Sequence, residues 1–330
     1  MARIALDASG GDFAPQAPVA GALLALEALP ETAEIVLVGP EADIRAELAR
    51  QAGPTPERLS VIDAPEAIGM AEKPLAAIRS KRRSSIVVGL GIHKAGEVDA
   101  FLSAGNTGAV MAASHLLLGI HDGVERPAIG TVLPTVDDPV LLLDAGANVD
   151  CDAKELLGFA HLGVVYARDV LRIENPSVGL LNIGEEDEKG NAAAKEAFAL
   201  MQRSSFRFVG NVEGSDILND KADVVVCDGF VGNIVLKFYE SAGRVFSDLL
   251  KHELDDNVVN GPGMGRVFRF LDYSSYGGAP LLGVRGISII CHGRSSPVAI
   301  KNALRVALQS VESNLSQHIH DEFVEGEAVA

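Results

Sequence analysis

The chain has 330 residues, of which 48% are hydrophobic, and 28 basic residues against 45 acidic ones give it a formal charge of −17. That sign excludes duplex nucleic acid as a partner, since phosphate-backbone binding needs a positive surface that displaces counterions. No apolar run approaches the roughly 18 residues of a membrane span. Met1-Ala-Arg runs straight into an apolar strand without the pattern of a secretory signal, so a cytoplasmic location is expected. Cys151, Cys227 and Cys291 show no Cys-x-x-Cys spacing, which indicates buried thiols rather than a disulfide framework or zinc site.

In chain order, Ala2 to Asp7 reads as a buried strand closed by Ala8-Ser-Gly-Gly-Asp12. A helix from Pro15 to Leu29, a strand from Glu34 to Val38, a helix from Glu41 to Gln51 and a short strand at Val61-Ile62 follow. Strands and helices alternating at this spacing predict βαβ units and a largely parallel sheet. Lys73, Arg79, Lys81, Arg82 and Arg83 form the only dense basic stretch, read either as a solvated loop or as a dock for phosphate or an acidic protein. Ser84 or Ser85 is placed to cap a helix that Gly96 ends.

Asp99 to Ser103 reads as a strand leading through Ala-Gly105-Asn106-Thr107-Gly108 into an apolar helix. Unpaired N–H groups at such a helix start attract an anion. Ala128 to Leu133 and Val140 to Leu143 predict an antiparallel pair about residues 136–139, and Asp144-Ala-Gly-Ala-Asn148 precedes a helix from Asp152 to Leu171. A strand from Val178 to Ile183 ends in an acidic loop, and Ser205 to Val209 gives another.

The richest stretch is Asp223 to Lys237. Val224 to Cys227 reads as a strand buried on both faces, Asp228-Gly229 breaks it, and apolar spacing from Ile234 onward predicts a helix beginning at Gly232-Asn233. Lys237 lies four residues past Asn233, so both can face one anion. Beyond it, Arg266 to Leu271 breaks the strand-helix rhythm and suits a subunit interface or a membrane surface. Ile287 to Cys291 is the last strand, His292 stands at its end, and a closing helix runs from Pro297. The whole predicts one α/β/α sandwich over residues 1–320, Rossmann-like with a mostly parallel, mixed sheet and a helical protrusion at about 240–275. A disordered tail is expected at 321–330.

No Gly-x-Ser-x-Gly elbow, Cys-His pair or Walker loop is present, and Gly89-x-Gly91 lacks the third glycine of a dinucleotide site. Gly-, Asn- and Asp-rich strand ends with nearby cations suit positioning and charge stabilisation of a reaction between two bound substrates. The loops at 105–108, 144–148 and 228–233 read as walls of a shared cleft.

Asp7-Ala-Ser-Gly-Gly-Asp-Phe-Ala-Pro15, Ser103-Ala-Gly-Asn-Thr-Gly108, Asp144-Ala-Gly-Ala-Asn-Val-Asp150, Asn182-Ile-Gly-Glu-Glu186 with Lys189-Gly-Asn191, Asn211-Val-Glu-Gly214, Asp228-Gly-Phe-Val-Gly-Asn233 and Tyr276-Gly-Gly-Ala-Pro-Leu-Leu-Gly283 together resemble the PlsX family of phosphate acyltransferases. Ser9 stands where that family usually has methionine. The resemblance implies transfer of a fatty acyl group from acyl carrier protein to inorganic phosphate, giving acyl phosphate for a membrane glycerol-3-phosphate acyltransferase. It also implies a cytoplasmic homodimer with loose membrane association, no cofactor or metal, and a fold similar to the phosphotransacetylase and isocitrate dehydrogenase group.

On that resemblance Asn233, Lys237, Lys189 and His292 are the catalytic candidates, Lys189 also serving only to balance acidic neighbours on the blander reading and His292 protonating the departing thiol. Asp7, Gly10, Gly11, Asp12, Gly105, Asn106, Thr107, Gly108, Asp144, Asn148, Asp228 and Gly232 are candidates for binding substrate, the aspartates alternatively bracing turns. Lys81, Arg82 and Arg83 are candidates for docking the carrier protein. The rivals are another phosphate-using transferase or dehydrogenase of similar fold, and a non-catalytic membrane scaffold.

Overall fold

The computed structural model describes residues 2–51, 53–135, 138–271 and 277–327. In chain order the elements are β1 (Ala2–Asp7), α1 (Gln16–Ala28), β2 (Ala33–Gly39), α2 (Glu41–Gln51), β3 (Leu59–Asp63), α3 (Pro74–Ser80), α4 (Ser85–Lys94), β4 (Ala100–Ser103) and α5 (Thr107–Leu117). The middle of the chain holds β5 (Ala128–Leu133), β6 (Val140–Leu143), α6 (Ala153–Asp169), β7 (Ser177–Leu181), α7 (Ala192–Met201), β8 (Arg207–Val212), β9 (Val224–Val226), α8 (Gly229–Glu253), α9 (Asp256–Val259) and α10 (Pro262–Leu271). It closes with β10 (Ala279–Leu282), β11 (Ile287–Ile290), α11 (Pro297–Glu312) and α12 (Leu315–Glu327). These elements form two compact units, one of residues 1–127 with 277–330 and the other of residues 128–276.

In the first unit the strands run in the order β3-β2-β1-β4-β11-β10, all parallel except β10. α1 and α11 pack together over β1 and β4, while α4 covers the same strands with α5 beside it. Sheet strands covered by two helix layers are largely apolar, as β4 is over Ala100, Phe101 and Leu102, all wholly buried, before it ends on Ser103. In the second unit the order is β5-β6-β9-β7-β8, with only the β5–β6 pair antiparallel, as the sequence predicted. Residues 136 and 137 of the expected turn lie outside the described residues.

β9 shows why this strand reads as buried on both faces. Val224 meets Gly163 of α6, and its neighbour Val225 joins a cluster with Leu133, Leu142 and Val212 against which Val235, Leu236 and Tyr239 of α8 pack. Burying each valine removes it from water for about 1.5–3 kcal/mol.

Several expectations need correction. The sequence pattern does not announce β10, which follows Gly277-Gly278 and contains Pro280, nor α3 and α7. The helix expected from Gly232-Asn233 starts at Gly229, capped by Asp228, whose side chain accepts from Val231 N–H. Ser84 does precede α4, but its hydroxyl makes no cap bond and is buried without a partner among the described residues. The tail expected to fray from residue 321 is helical through Glu327.

Candidate active site

In the first unit β1, β4 and β11 are parallel neighbours, so the loops at 8–12, 104–106 and 292–294 leave one edge together. Asp7, 1% exposed, accepts from Ser9 N–H at 2.9 Å and Ser103 Oγ at 2.7 Å. Burial pushes its carboxyl up against the pull of the Ser103 and Ser85 hydroxyls and the Ser9 and Gly10 N–H groups. Ser103 Oγ in turn accepts from Gly105 N–H at 2.9 Å. Gly10 sits against this knot, where a Cβ would fall 2.6 Å from both Asp7 Oδ2 and Gly105 N. Gly11 turns with φ of +99°, and Asp12, itself exposed, donates its N–H to Gly293 O at 2.7 Å.

Asn106 is a brace. Its Oδ1 caps α5 through Ala109 N–H at 3.0 Å, while Nδ2 reaches the carbonyls of Gly69, Met70 and Glu72, each at 3.1 Å. With the N–H of Gly105 also occupied, the anion-binding groups expected over residues 105–108 reduce to the N–H groups of Asn106, Thr107 and Gly108, which have no partner among the described residues. His292 is exposed and accepts from Arg294 N–H through Nδ1 at 3.1 Å, which leaves Nε2 as the protonated nitrogen of the neutral ring.

In the second unit β6, β9 and β7 are parallel neighbours, and the loops at 144–148, 227–229 and 182–191 leave one edge. Asp144, fully buried, is the hub of the first loop. Its Oδ1 accepts from Ile129, Gly146 and Ala147 N–H, and its Oδ2 from Ala147 and Asn148 N–H and Asn148 Nδ2, all between 2.7 and 3.1 Å. Burial still moves its carboxyl up, opposed by these N–H groups. The loop lies on the start of α8: Gly229 N–H donates to Asn148 O at 2.6 Å, and a Cβ on Gly232 would fall 1.9 Å from Asp144 O. Only glycine fits there. The Gly232 N–H expected to face an anion is bonded inside the helix to Asp228 O at 2.9 Å.

The groups left for chemistry in this unit are side chains. Asn233 is half-buried beside Gly146, with its amide unpartnered among the described residues. Lys237, one turn on, is exposed and has no ion pair among the described residues. Lys189 lies 3.6 Å from Glu186 across an exposed pair, so part of its charge is balanced. Of the basic stretch, Lys81 pairs with Glu72 at 2.5 Å and Arg83 with Asp63 at 3.3 Å, while Arg82 is exposed and unpaired among the described residues. Sequence reasoning missed the tying roles of Ser103, Gly146 and Gly293. Ser103 stood inside a recognised motif, but which partners a hydroxyl takes depends on what the sheet brings beside it.

This is an α/β fold of the phosphotransacetylase kind. A phosphotransacetylase from Streptococcus pyogenes superimposes with TM-score 0.64 at 14% identity over 94% of each chain, and a branched-chain phosphotransacylase from Enterococcus faecalis with 0.61 at 13% over 94% of this chain and 99% of the other. At the level of sequence, residues 2–318 match the family model described as a fatty acid synthesis protein. Relatives named phosphate acyltransferase include one from Heliobacterium modesticaldum, 48% identical over 97% of both chains, and one from Desulforamulus reducens, 49% identical over 96% of this chain and 95% of the other. The chain belongs to this phosphate acyltransferase family, acyl-transferring enzymes of fatty acid and phospholipid synthesis.

Proposed function

We propose that the chain catalyses attack of inorganic phosphate on the carbonyl carbon of a fatty acyl thioester carried by acyl carrier protein. The C–O bond to phosphate forms, the C–S bond breaks, and acyl phosphate leaves alongside the free carrier thiol. The observation that carries this direct transfer is the state of the cysteines. All three are buried, and burial pushes Cys151 and Cys291 up to about 12 and Cys227 well above its ordinary value. None supplies the thiolate that a cysteinyl acyl-enzyme needs, and phosphate is its own nucleophile.

The catalytic work then falls to binding and charge. In the second unit the Asn233 amide and the Lys237 ammonium stabilise developing negative charge, with Lys189 adding a partly balanced cation. In the first, the Thr107 and Gly108 N–H groups at the start of α5 offer an anion site, and His292 Nε2–H is a proton donor. The exposed cations Lys73, Arg79 and Arg82, with the paired Lys81 and Arg83, are assigned to docking the acidic carrier.

A second copy is the partner best supported by the surface. Phe230, Ile234, Phe238, Val245 and Leu249 form one exposed apolar stripe on α8. α10 packs back on α8, with Tyr239 Oη donating to Phe270 O at 3.1 Å and Lys251 Nζ 5.2 Å over the Phe268 ring. No helix among the described residues is long and apolar enough to cross a membrane. Loose attachment of a cytoplasmic enzyme through this amphipathic region would let the reactive acyl phosphate pass to a membrane acyltransferase acting on glycerol 3-phosphate.

The test is incubation with fatty acyl carrier protein and phosphate, following free thiol and trapping acyl phosphate as hydroxamate. Thiol release should require phosphate, and Lys237→Ala or Asn233→Ala should lower kcat by about 10²-fold. Arg82→Glu should raise KM for the carrier and leave that for phosphate unchanged. Thiol release without phosphate, or no release at all, overturns the assignment.

A further inference from the structure

We infer that a cleft of about 380 Å³ in the second unit receives the hydrocarbon chain of the acyl group. Its apolar wall comes from Leu156 of α6, Leu180 and Leu181 of β7, Ala193 and Ala194 of α7 and Val231 of α8. The size lies within the range of small-molecule sites and matches on the order of a dozen methylene-sized groups at about 30 Å³ each.

The polar side chains on the same wall decide what kind of ligand fits. Asn182 donates from Nδ2 to Lys189 O and Asn211 Oδ1 and accepts Ile183 N–H through Oδ1. Asn191 Oδ1 caps α7 at Ala194 N–H, and Asp228 Oδ1 caps α8 at Val231 N–H. Cys151 Sγ and Cys227 Sγ point to the carbonyls of Asn148 and Asp144. Asn182 and the two thiols are engaged inside the protein, and Asn191 and Asp228 each commit one side-chain oxygen, so most of what the wall presents to an occupant is hydrocarbon. An alkyl chain needs no hydrogen bonds from such a wall and gains by leaving water.

The placement adds a second argument. The cleft reaches Asp228 and Val231, the cap and third residue of α8, and Asn233 follows two positions later on the same helix. A chain seated in the cleft would leave its carboxyl end near the start of α8, the helix that also carries Asn233. The inference rests on the proposed acyl transfer for its physiological ligand, but the binding it asserts is measurable without turnover.

The chain has no tryptophan, so Ile183→Trp, at an 83% exposed position on the cleft, introduces a single reporter. Dodecanoate should change its emission saturably, acetate should not, and adding Ala193→Phe should weaken the response at least tenfold. In turnover with donors from four to sixteen carbons, kcat/KM should rise about fourfold per methylene until the cleft is full. Ala193→Phe should bring that plateau to shorter chains, and Leu181→Ala should extend it. Equal emission responses in the reporter with and without Ala193→Phe, or chain-length profiles that coincide in all three proteins, overturn the inference. A saturable dodecanoate response in a protein that forms no acyl phosphate would sustain the cleft and sink the acyl-transfer reading instead.

Discussion

The contact between Gly232 and Asp144 ties a helix start to a strand end through a single missing methyl group. A Cβ placed 1.9 Å from a backbone oxygen cannot be relieved by rotating a side chain, so Gly232→Ala must push α8 off the 144–148 loop. A loss of about 3 kcal/mol or more in thermal unfolding is expected. Gly91, inside α4 with open space where its Cβ would stand, is the matched control: Gly91→Ala should gain about 0.5–1 kcal/mol. A second residue reports on pH. His121 is 6% exposed and its ring is held down to about 4 by burial first, then by the charges of His320 and Arg285, with Asp122 opposing. Its Nε2 lies 3.2 Å from Ser316 Oγ. Because the folded value is below the unfolded one of about 6.5, this group's contribution is complete above pH 6.5. It is lost as pH falls towards 4, by at most about 3 kcal/mol. His121→Gln, which can still bond Ser316, should flatten the fall in Tm between pH 7 and 4.5; an unchanged fall would assign it to other groups.

At the scale of elements, the N-terminus of α5 is built from outside the helix. Asn106 holds the carbonyls of residues 69, 70 and 72 with the same side chain that caps α5, so the loop before α3 and the start of α5 share one support. Asn106→Ala should cost about 1–2 kcal/mol and speed amide exchange and proteolysis across 69–72 before the rest of the unit opens. Here the limits of sequence are plain. β1, β4, β9 and the helix beginning at Asp152 are legible because burial period is local, and the structure adds the capping box of Asp152 and Glu155. β10 hid behind Gly277, Gly278 and Pro280, since a four-residue antiparallel strand owes its existence to β11 beside it. α7 carried an Asn191 cap and an alanine run that were readable and overlooked. At the candidate site, the motif residues are readable as letters, but their division into braces and free groups is not. Asn106 and Asn233 look alike as letters, and only their neighbours make one a strut and leave the other's amide open.

At the scale of the molecule, a charge of −17 and an apolar stripe along α8 pull in opposite directions. Phe238 is 74% exposed and Phe246 56%, a cost in water that a second copy would remove by covering the same face. Two copies brought together also bring their negative charges together, and that repulsion is screened by salt over about 10 Å at 0.1 M. Association driven by the stripe should therefore strengthen with ionic strength, opposite to an interface held by ion pairs. Sedimentation equilibrium should show a dimer whose Kd falls between 0.05 and 0.5 M salt. Phe238→Asp, which puts a charge in the middle of the stripe, should raise that Kd by at least tenfold without lowering Tm, because the side chain contributes little to its own unit's core. A monomer at every concentration in wild type, or a dimer indifferent to Phe238→Asp, would leave the stripe to some other surface.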